Sequence, residues 1–297
     1  MTTLLIFGLG YSSVATVRAA NGRYQRIVAT VRSPERAAAL TAQGIEGQPV
    51  TVLPFDGTSL SPELAAAIAE AGHVLVSAPP DETGDPVLKT CRTALTARKP
   101  DAIAYLSTVG VYGDHQGGWV DETTPPKPVS PRSVERLEAE AAWTALGKAT
   151  GVPVALLRLS GIYGPGNNAL VNLRRGTARR IIKPGQVFNR IHVDDIAAAV
   201  LAAFDKRYDG VVNVTDDEPS PAQDVVSYAA GLLGVPVPPD IPIDQAGLSP
   251  MGLSFYGECK RVSNERLKGE LSVKLLHPNF RMALRALAAG GDGQAHR

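Results

Sequence analysis

The chain alternates short apolar runs with amphipathic stretches. Residues 4–7 (Leu-Leu-Ile-Phe) form an apolar run that stops at a glycine-rich turn, and a helical pattern follows over 11–20. The order then repeats. Apolar runs at 26–32, 50–56, 73–78, 102–107 and 154–159 read as strands, and the stretches from 33, at 61–71, 86–97 and 131–150 read as helices. Ser33-Pro34 gives the second helix a capping side chain followed by a proline suited to the first helical position. Several runs, such as Val74 to Val76, are apolar at every position, as expected of strands covered on both faces. Strand and helix in regular alternation predict parallel βαβ units, and so an α/β fold with a doubly wound parallel sheet.

From Gly164 the texture loosens. Residues 164–168 (Gly-Pro-Gly-Asn-Asn) read as a loop, and a basic cluster follows at Arg174, Arg175, Arg179, Arg180 and Lys183. Core-like segments return at 191–204 and 211–214, and the proline-rich run 235–242 reads as an extended connector. The expected organisation is a dinucleotide-binding domain over 1–165 and a smaller substrate lobe over 166–289. Core segments at about 187–215 are interleaved with that lobe, and a disordered tail covers 290–297.

Length and charge narrow the class. The chain has 297 residues, 44% of them hydrophobic, enough for one large domain or two coupled ones. Thirty basic against 29 acidic residues leave a net charge of +1, which argues against nucleic-acid and anionic-membrane partners. No apolar run approaches about 18 residues, so no membrane-spanning helix is expected. Cys91 and Cys259 lie far apart without metal-ligand spacing and fit a reducing compartment. The expectation is a cytoplasmic protein without a metal.

The opening turn carries the first candidate chemistry. Gly8-x-Gly10-x-x-Ser13 joins strand to helix, with serine where the dinucleotide fingerprint has its third glycine. Backbone N–H groups and the positive helix end would meet there, at Gly8, Gly10, Tyr11, Ser12 and Ser13, and suit a pyrophosphate. After the second strand stand Thr30 and Arg32 rather than a ribose-binding acid. Arg32 can pair with a 2′-phosphate, which points to NADP rather than NAD; a solvated surface arginine is the alternative. Asp56, after the third strand, is placed to accept from an adenine amino group. After the fourth, the backbone of Ser77, Ala78 and Pro79 would run past the ribose.

Three further stretches complete the pattern: Leu106-Ser107-Thr108-Val109-Gly110-Val111-Tyr112-Gly113-Asp114, Arg158-Leu159-Ser160-Gly161-Ile162-Tyr163-Gly164-Pro165-Gly166 and Arg190-Ile191-His192-Val193-Asp194-Asp195. With the opening loop they resemble the extended short-chain dehydrogenase/reductase superfamily, in particular its nucleotide-sugar epimerase/dehydratase branch. The resemblance runs from Met1 to about Phe204. It implies a catalytic serine or threonine at Thr108. It also implies a tyrosine acid/base with a lysine four residues later, but those positions hold Arg132 and Arg136. No tyrosine lies between Tyr112 and Tyr163. Arginine is always protonated and cannot shuttle a proton near neutral pH. In this departure the chain resembles the atypical YeeZ-like subgroup.

The resemblance therefore implies an NAD(P)-binding oxidoreductase or epimerase/dehydratase-like protein acting on a small, nucleotide-linked or anionic substrate. Thr108 and Tyr112 are the catalytic candidates, although Tyr112 also has a bland place in the Val-Tyr-Gly turn. Arg136 and Tyr163 join the cofactor set, and Ser107, Arg132, Arg190 and His192 form the substrate set. For His192, a buried residue with Asp194 and Asp195 capping the next helix is the alternative, and for His115 an exposed loop residue. A catalytically silent NADP-binding sensor is the competing class. The resemblance also implies a homodimer through the helices at 86–97 and 131–150.

Overall fold

The computed structural model describes residues 2–293. Seven parallel strands form its central sheet. Five are β1 (Thr3–Phe7), β2 (Arg26–Val31), β3 (Thr51–Pro54), β4 (Ala71–Val76) and β5 (Ala102–Thr108); strands Val154–Leu159 and Gly210–Val214 complete it. Their spatial order is β3-β2-β1-β4-β5, then Val154–Leu159, then Gly210–Val214. The winding reverses between β1 and β4, and ligands of open α/β sheets bind beyond the carboxyl ends of strands at such a point.

Alternation along the strands divides the core between two faces. Leu4 and Ile6 pack on one side with Val17 of α1 (Tyr11–Ala19), Ala37 of α2 (Pro34–Gln43) and helix Val193–Asp205. Leu5 and Phe7 pack on the other with α3 (Pro62–Glu70), α4 (Pro86–Arg98) and α5 (Pro131–Thr150), through Leu64, Leu88 and Trp143. Five helices among the described residues begin with the same device, a capping side chain followed by proline; in one, Pro250–Tyr256, Ser249 accepts from Gly252 N. Ser33 accepts from Arg36 N, Ser61 from Leu64 N, Asp85 from Val87 N and Leu88 N, and Ser130 from Ser133 N. Each cap satisfies backbone donors that the first helical turn leaves unpaired.

The lobe packs helices Ala169–Arg174, Ala222–Leu233 and Phe280–Ala289 around Leu170, Ala229, Phe280 and Leu284. Three two-stranded parallel pairs stitch distant segments together: Gly161–Tyr163 with Arg190–His192, Arg180–Ile182 with Asp240–Pro242, and Trp119–Val120 with Arg261–Val262. The third of these brings residues 261–262 back beside 119–120. Disorder was expected from Gly290, but the Asp292 carboxylate accepts from Gly166 N at 2.9 Å and Asn168 Nδ2 at 2.6 Å. The rest of that expected tail, 294–297, lies outside the described residues.

Candidate functional site

The opening turn is built tightly. Gly8 has φ +90°, and a Cβ there would stand 2.8 Å from Ala78 N. Ser77 N and Ala78 N both donate to Phe7 O, at 2.8 and 3.0 Å, which brings the residues after β4 against the turn. Ser13 Oγ donates to Gly8 O at 2.8 Å, so the serine in the third-glycine position closes the turn from inside. Thr30 faces inward too: its hydroxyl accepts from Gly8 N at 3.0 Å and its carbonyl from Leu9 N. Thr30 thus fixes the loop to β2, and Arg32 is the side chain at that strand end that reaches solvent.

Gly10 is the N-cap of α1, with no side-chain cap and no acid in the first turn. A Cβ on Gly10 would meet nothing within 4 Å among the described residues. The free N–H groups and positive end of a nine-residue helix therefore face open space, which fits an anionic group. Arg32 is exposed, and among the described residues no carboxylate pairs with it. Asp56 Oδ1 accepts from Thr58 N and Thr58 Oγ1, and these bonds hold the carboxyl below its ordinary range. Tyr11 spans the cleft and donates to Pro165 O at 2.9 Å; burial and nearby acids push its phenol up to about 12. Ser12 is buried, and it is its backbone carbonyl that accepts, from Thr16 Oγ1.

The strand-five end separates the predicted residues. Thr108 is partly exposed, and its Oγ1 accepts from Gly110 N at 3.0 Å. Tyr112 is fully buried and donates to Asn213 Oδ1 at 2.8 Å. Burial raises its phenol. The expectation of Tyr112 as an acid is corrected: its hydroxyl faces the core, not the cleft. Ser107 is corrected in the same way, since it is buried and donates to Glu140 Oε1 at 2.5 Å. Arg136 replaces the family lysine and is held from below. Its Nη1 donates to Leu106 O at 2.9 Å and Tyr105 Oη at 3.0 Å. Arg132 remains exposed, with Met251 Sδ 3.9 Å from its Nη1.

The later motif lies deeper. His192 is buried and caps the helix Val193–Asp205 itself, its Nδ1 accepting from Asp194 N at 3.2 Å. This corrects both its assignment to substrate and the view that the two aspartates cap that helix. Asp194 pairs with Arg18 at 2.5 Å, and Asp195 accepts from the amides of Leu276 and His277. Burial and the adjacent His277 imidazole, its ring centroid 3.8 Å away, push the His192 pKa down. Ligand atoms of His192, Asp194 and His277 lie within 4.8 Å of one another, a spacing that can hold a cation. The helix cap occupies Nδ1 of His192, however, and Arg18 already neutralises Asp194.

Arg190 spends Nη1 on Phe188 O, Ser220 O and Ser220 Oγ, which places it as a brace in the lobe. Tyr163 is buried edge-on to His192, and its hydroxyl has no hydrogen-bond partner among the described residues. Of the basic cluster, Arg179 donates to Ala246 O, Arg180 to Pro238 O, and Lys183 to Tyr256 O. His115 is half-buried, with Nε2 3.1 Å from Tyr112 O. Sequence reasoning passed over two features: the Glu140–Arg158 pair, and Ser133 beside Thr108. Both need partners from remote segments or from a helix cap, which no local pattern announces.

Comparison with known proteins gives several likenesses. The NAD dependent epimerase/dehydratase family profile matches residues 82–215. A 3-diazoavenalumate denitrifying reductase from a Streptomyces species is 30% identical over 179 residues, 56% of this chain and 55% of that protein, so the match spans about half of each. Protein YeeZ of Escherichia coli strain K12 is 27% identical over 252 residues, covering 80% of this chain and 86% of YeeZ. A solved structure, that of a functionally unknown conserved protein from Silicibacter pomeroyi DSS, is 44% identical and superposes with a TM-score of 0.86, covering 98% of this chain and 100% of that one. With the glycine turn and the seven-stranded parallel sheet, these likenesses make residues 82–215 similar to the NAD dependent epimerase/dehydratase family and the chain similar to YeeZ over most of its length.

Proposed function

We propose that the protein is an NADP-dependent oxidoreductase acting on a small anionic compound with a reducible group. The observation that carries this reading is the open N-terminus of α1 at Gly10, with the exposed, acid-free Arg32 at the neighbouring strand end. In this reading the first-turn N–H groups of α1 hold the pyrophosphate, and Arg32 holds a 2′-phosphate. Asp56 accepts from the adenine amino group, and the Ser77-Ala78-Pro79 backbone flanks a ribose. Arg136, steadied by Leu106 O and Tyr105, takes the lysine's place beside the second ribose. The bound cofactor supplies hydride chemistry.

The Thr108 hydroxyl donates to a substrate oxygen, and Arg132 adds a fixed positive charge. Neither arginine moves a proton. With the Tyr112 hydroxyl committed to Asn213, the proton comes from water. The internal work of Arg179, Arg180 and Lys183 favours a small anion over a nucleotide-linked substrate. A homodimer through α4 and α5 and a cytoplasmic setting belong to the same reading.

Calorimetric titration with NADP and NAD tests it. NADP is expected to bind about ten- to a hundredfold tighter, the worth of a charge-assisted pair of roughly 1.5–3 kcal/mol. Arg32→Ala should erase that difference, and equal affinities in the native protein would remove the assignment. The missing acid/base favours a second reading, a silent NADP sensor. Tight NADP binding without NADPH consumption across a panel of carbonyl and carboxylate compounds would give that reading the lead.

A further inference from the structure

Beside the arginine that replaces the family tyrosine lies a serine whose hydrogen bonds leave one proton free. Ser133 is 7% exposed, and its Oγ accepts from Ser130 Oγ at 2.9 Å. Ser130 Oγ accepts in turn from Ser133 N at 3.2 Å, as the cap of α5. The Ser130 proton is thereby committed to Ser133, and among the described residues the Ser133 proton has no acceptor. Thr108 is in the same condition. Its Oγ1 accepts from Gly110 N, and its own proton has no acceptor among the described residues.

The two hydroxyls converge on Gly110. A Cβ on Gly110 would stand 2.9 Å from Ser133 Oγ and 3.3 Å from Thr108 Oγ1. Glycine therefore leaves a gap between two donors at the carboxyl end of β5. Thr108 and Gly110 are partly open to solvent there, and the exposed Arg132 adjoins. A buried donor without an acceptor is costly, so the nearly buried Ser133 hydroxyl favours an oxygen placed in this gap.

The geometry points to a two-hydroxyl clamp, Thr108 and Ser133, that grips one oxygen of a carbonyl or carboxylate substrate, with Arg132 supplying its counter-charge. This rests on the proposed function and deepens it by naming the group recognised. The clamp performs the gripping half of the lost tyrosine's work, since preorganised donors stabilise negative charge on oxygen without giving up a proton. It also explains how Arg132 can occupy that position: a permanent cation complements an anionic oxygen and needs no titration.

Sodium benzoate is a suitable probe because it offers carboxylate oxygens on a flat apolar body. It is titrated calorimetrically into the free protein and into the NADP-loaded protein, since the clamp is built from this chain alone. Native protein is expected to bind it. Ser133→Ala and Thr108→Ala should each weaken binding about tenfold, the worth of a hydrogen bond to a charged group. Thr108→Ser should restore it. Gly110→Ala, which places a methyl between the donors, should weaken it likewise with an unchanged circular-dichroism spectrum. Native protein that does not bind benzoate, or undiminished binding in both alanine variants, overturns the clamp. Benzoate binding that follows this pattern in a protein that does not bind NADP supports the clamp and overturns the cofactor reading instead.

Discussion

Thr108 and Tyr112 stand four positions apart and end in opposite surroundings. Thr108 sits at the mouth of the cleft, while Tyr112 turns under the sheet into a buried polar rung. Ser107, Arg158 and Asn213 are register partners on three adjacent strands, and Glu140 reaches the first two from α5. Arg158 donates to both Glu140 oxygens, at 3.0 and 2.7 Å, and lies over the Tyr112 ring at 4.8 Å. Both members of this ion pair are almost fully buried. Removing one charge leaves the other uncompensated, so Glu140→Gln should cost about 3–5 kcal/mol. Urea unfolding would reveal the loss as a lower midpoint with an unchanged slope; an unmoved midpoint would show that the pair is not needed. Sequence could name Tyr112 as a hydroxyl near the strand end but could not orient it. Its partner Asn213 lies 101 residues away. Ser133 was equally silent, because a serine three places after a Ser-Pro start reads only as part of a helix cap.

The glycine turn makes the corresponding point for an element. Gly8 and Gly10 look alike in the sequence and have separate tasks. Gly8 lies in the left-handed region with backbone 2.8 Å from its missing Cβ, so Gly8→Ala should destabilise the whole domain. Gly10 has φ −103° and open space before it, so Gly10→Val should fold normally and lose cofactor binding. Circular dichroism paired with NADP titration separates the two outcomes. A Gly10→Val variant that binds NADP normally would place the phosphate elsewhere. The longer elements were legible for a related reason. Strands covered on both faces have to be apolar throughout, and a serine or aspartate followed by proline marks a helix start. The parallel pairs of two or three residues were not legible, because segments that short carry no periodicity.

Assembly of the whole molecule depends on contacts that cross the boundary expected near residue 165. Arg18 of α1 holds Asp194, Arg23 pairs with Asp205, and Tyr112 Oη donates to Asn213 Oδ1. Strand Gly210–Val214 belongs to the same sheet as β1, so the apparent second half supplies part of the first half's core. The change of composition at Gly164 showed a loop but could not show that the chain comes back.

This arrangement buries two titratable groups whose effects on stability oppose each other. Burial raises the Asp216 carboxyl to about 8, and its Oδ2 has no partner among the described residues. A carboxyl raised from about 4 in the unfolded chain contributes stability below pH 4, which is lost progressively until the folded group ionises near 8. His192 is lowered, so its contribution is lost on the acid side, as pH falls below about 6.5. Between pH 4 and 6.5 the two slopes cancel in part; between 6.5 and 8 Asp216 acts without that offset. Stability should fall there by up to about 1.4 kcal/mol per pH unit, or about 2 kcal/mol across the window. Asp216→Asn keeps an acceptor for Glu218 N and cannot ionise. Urea unfolding at pH 6.5 and pH 8 should show the native protein weakening and the variant holding, with other titrating groups common to both. Equal pH dependence in the two proteins would mean that the Asp216 carboxylate finds a partner when it ionises.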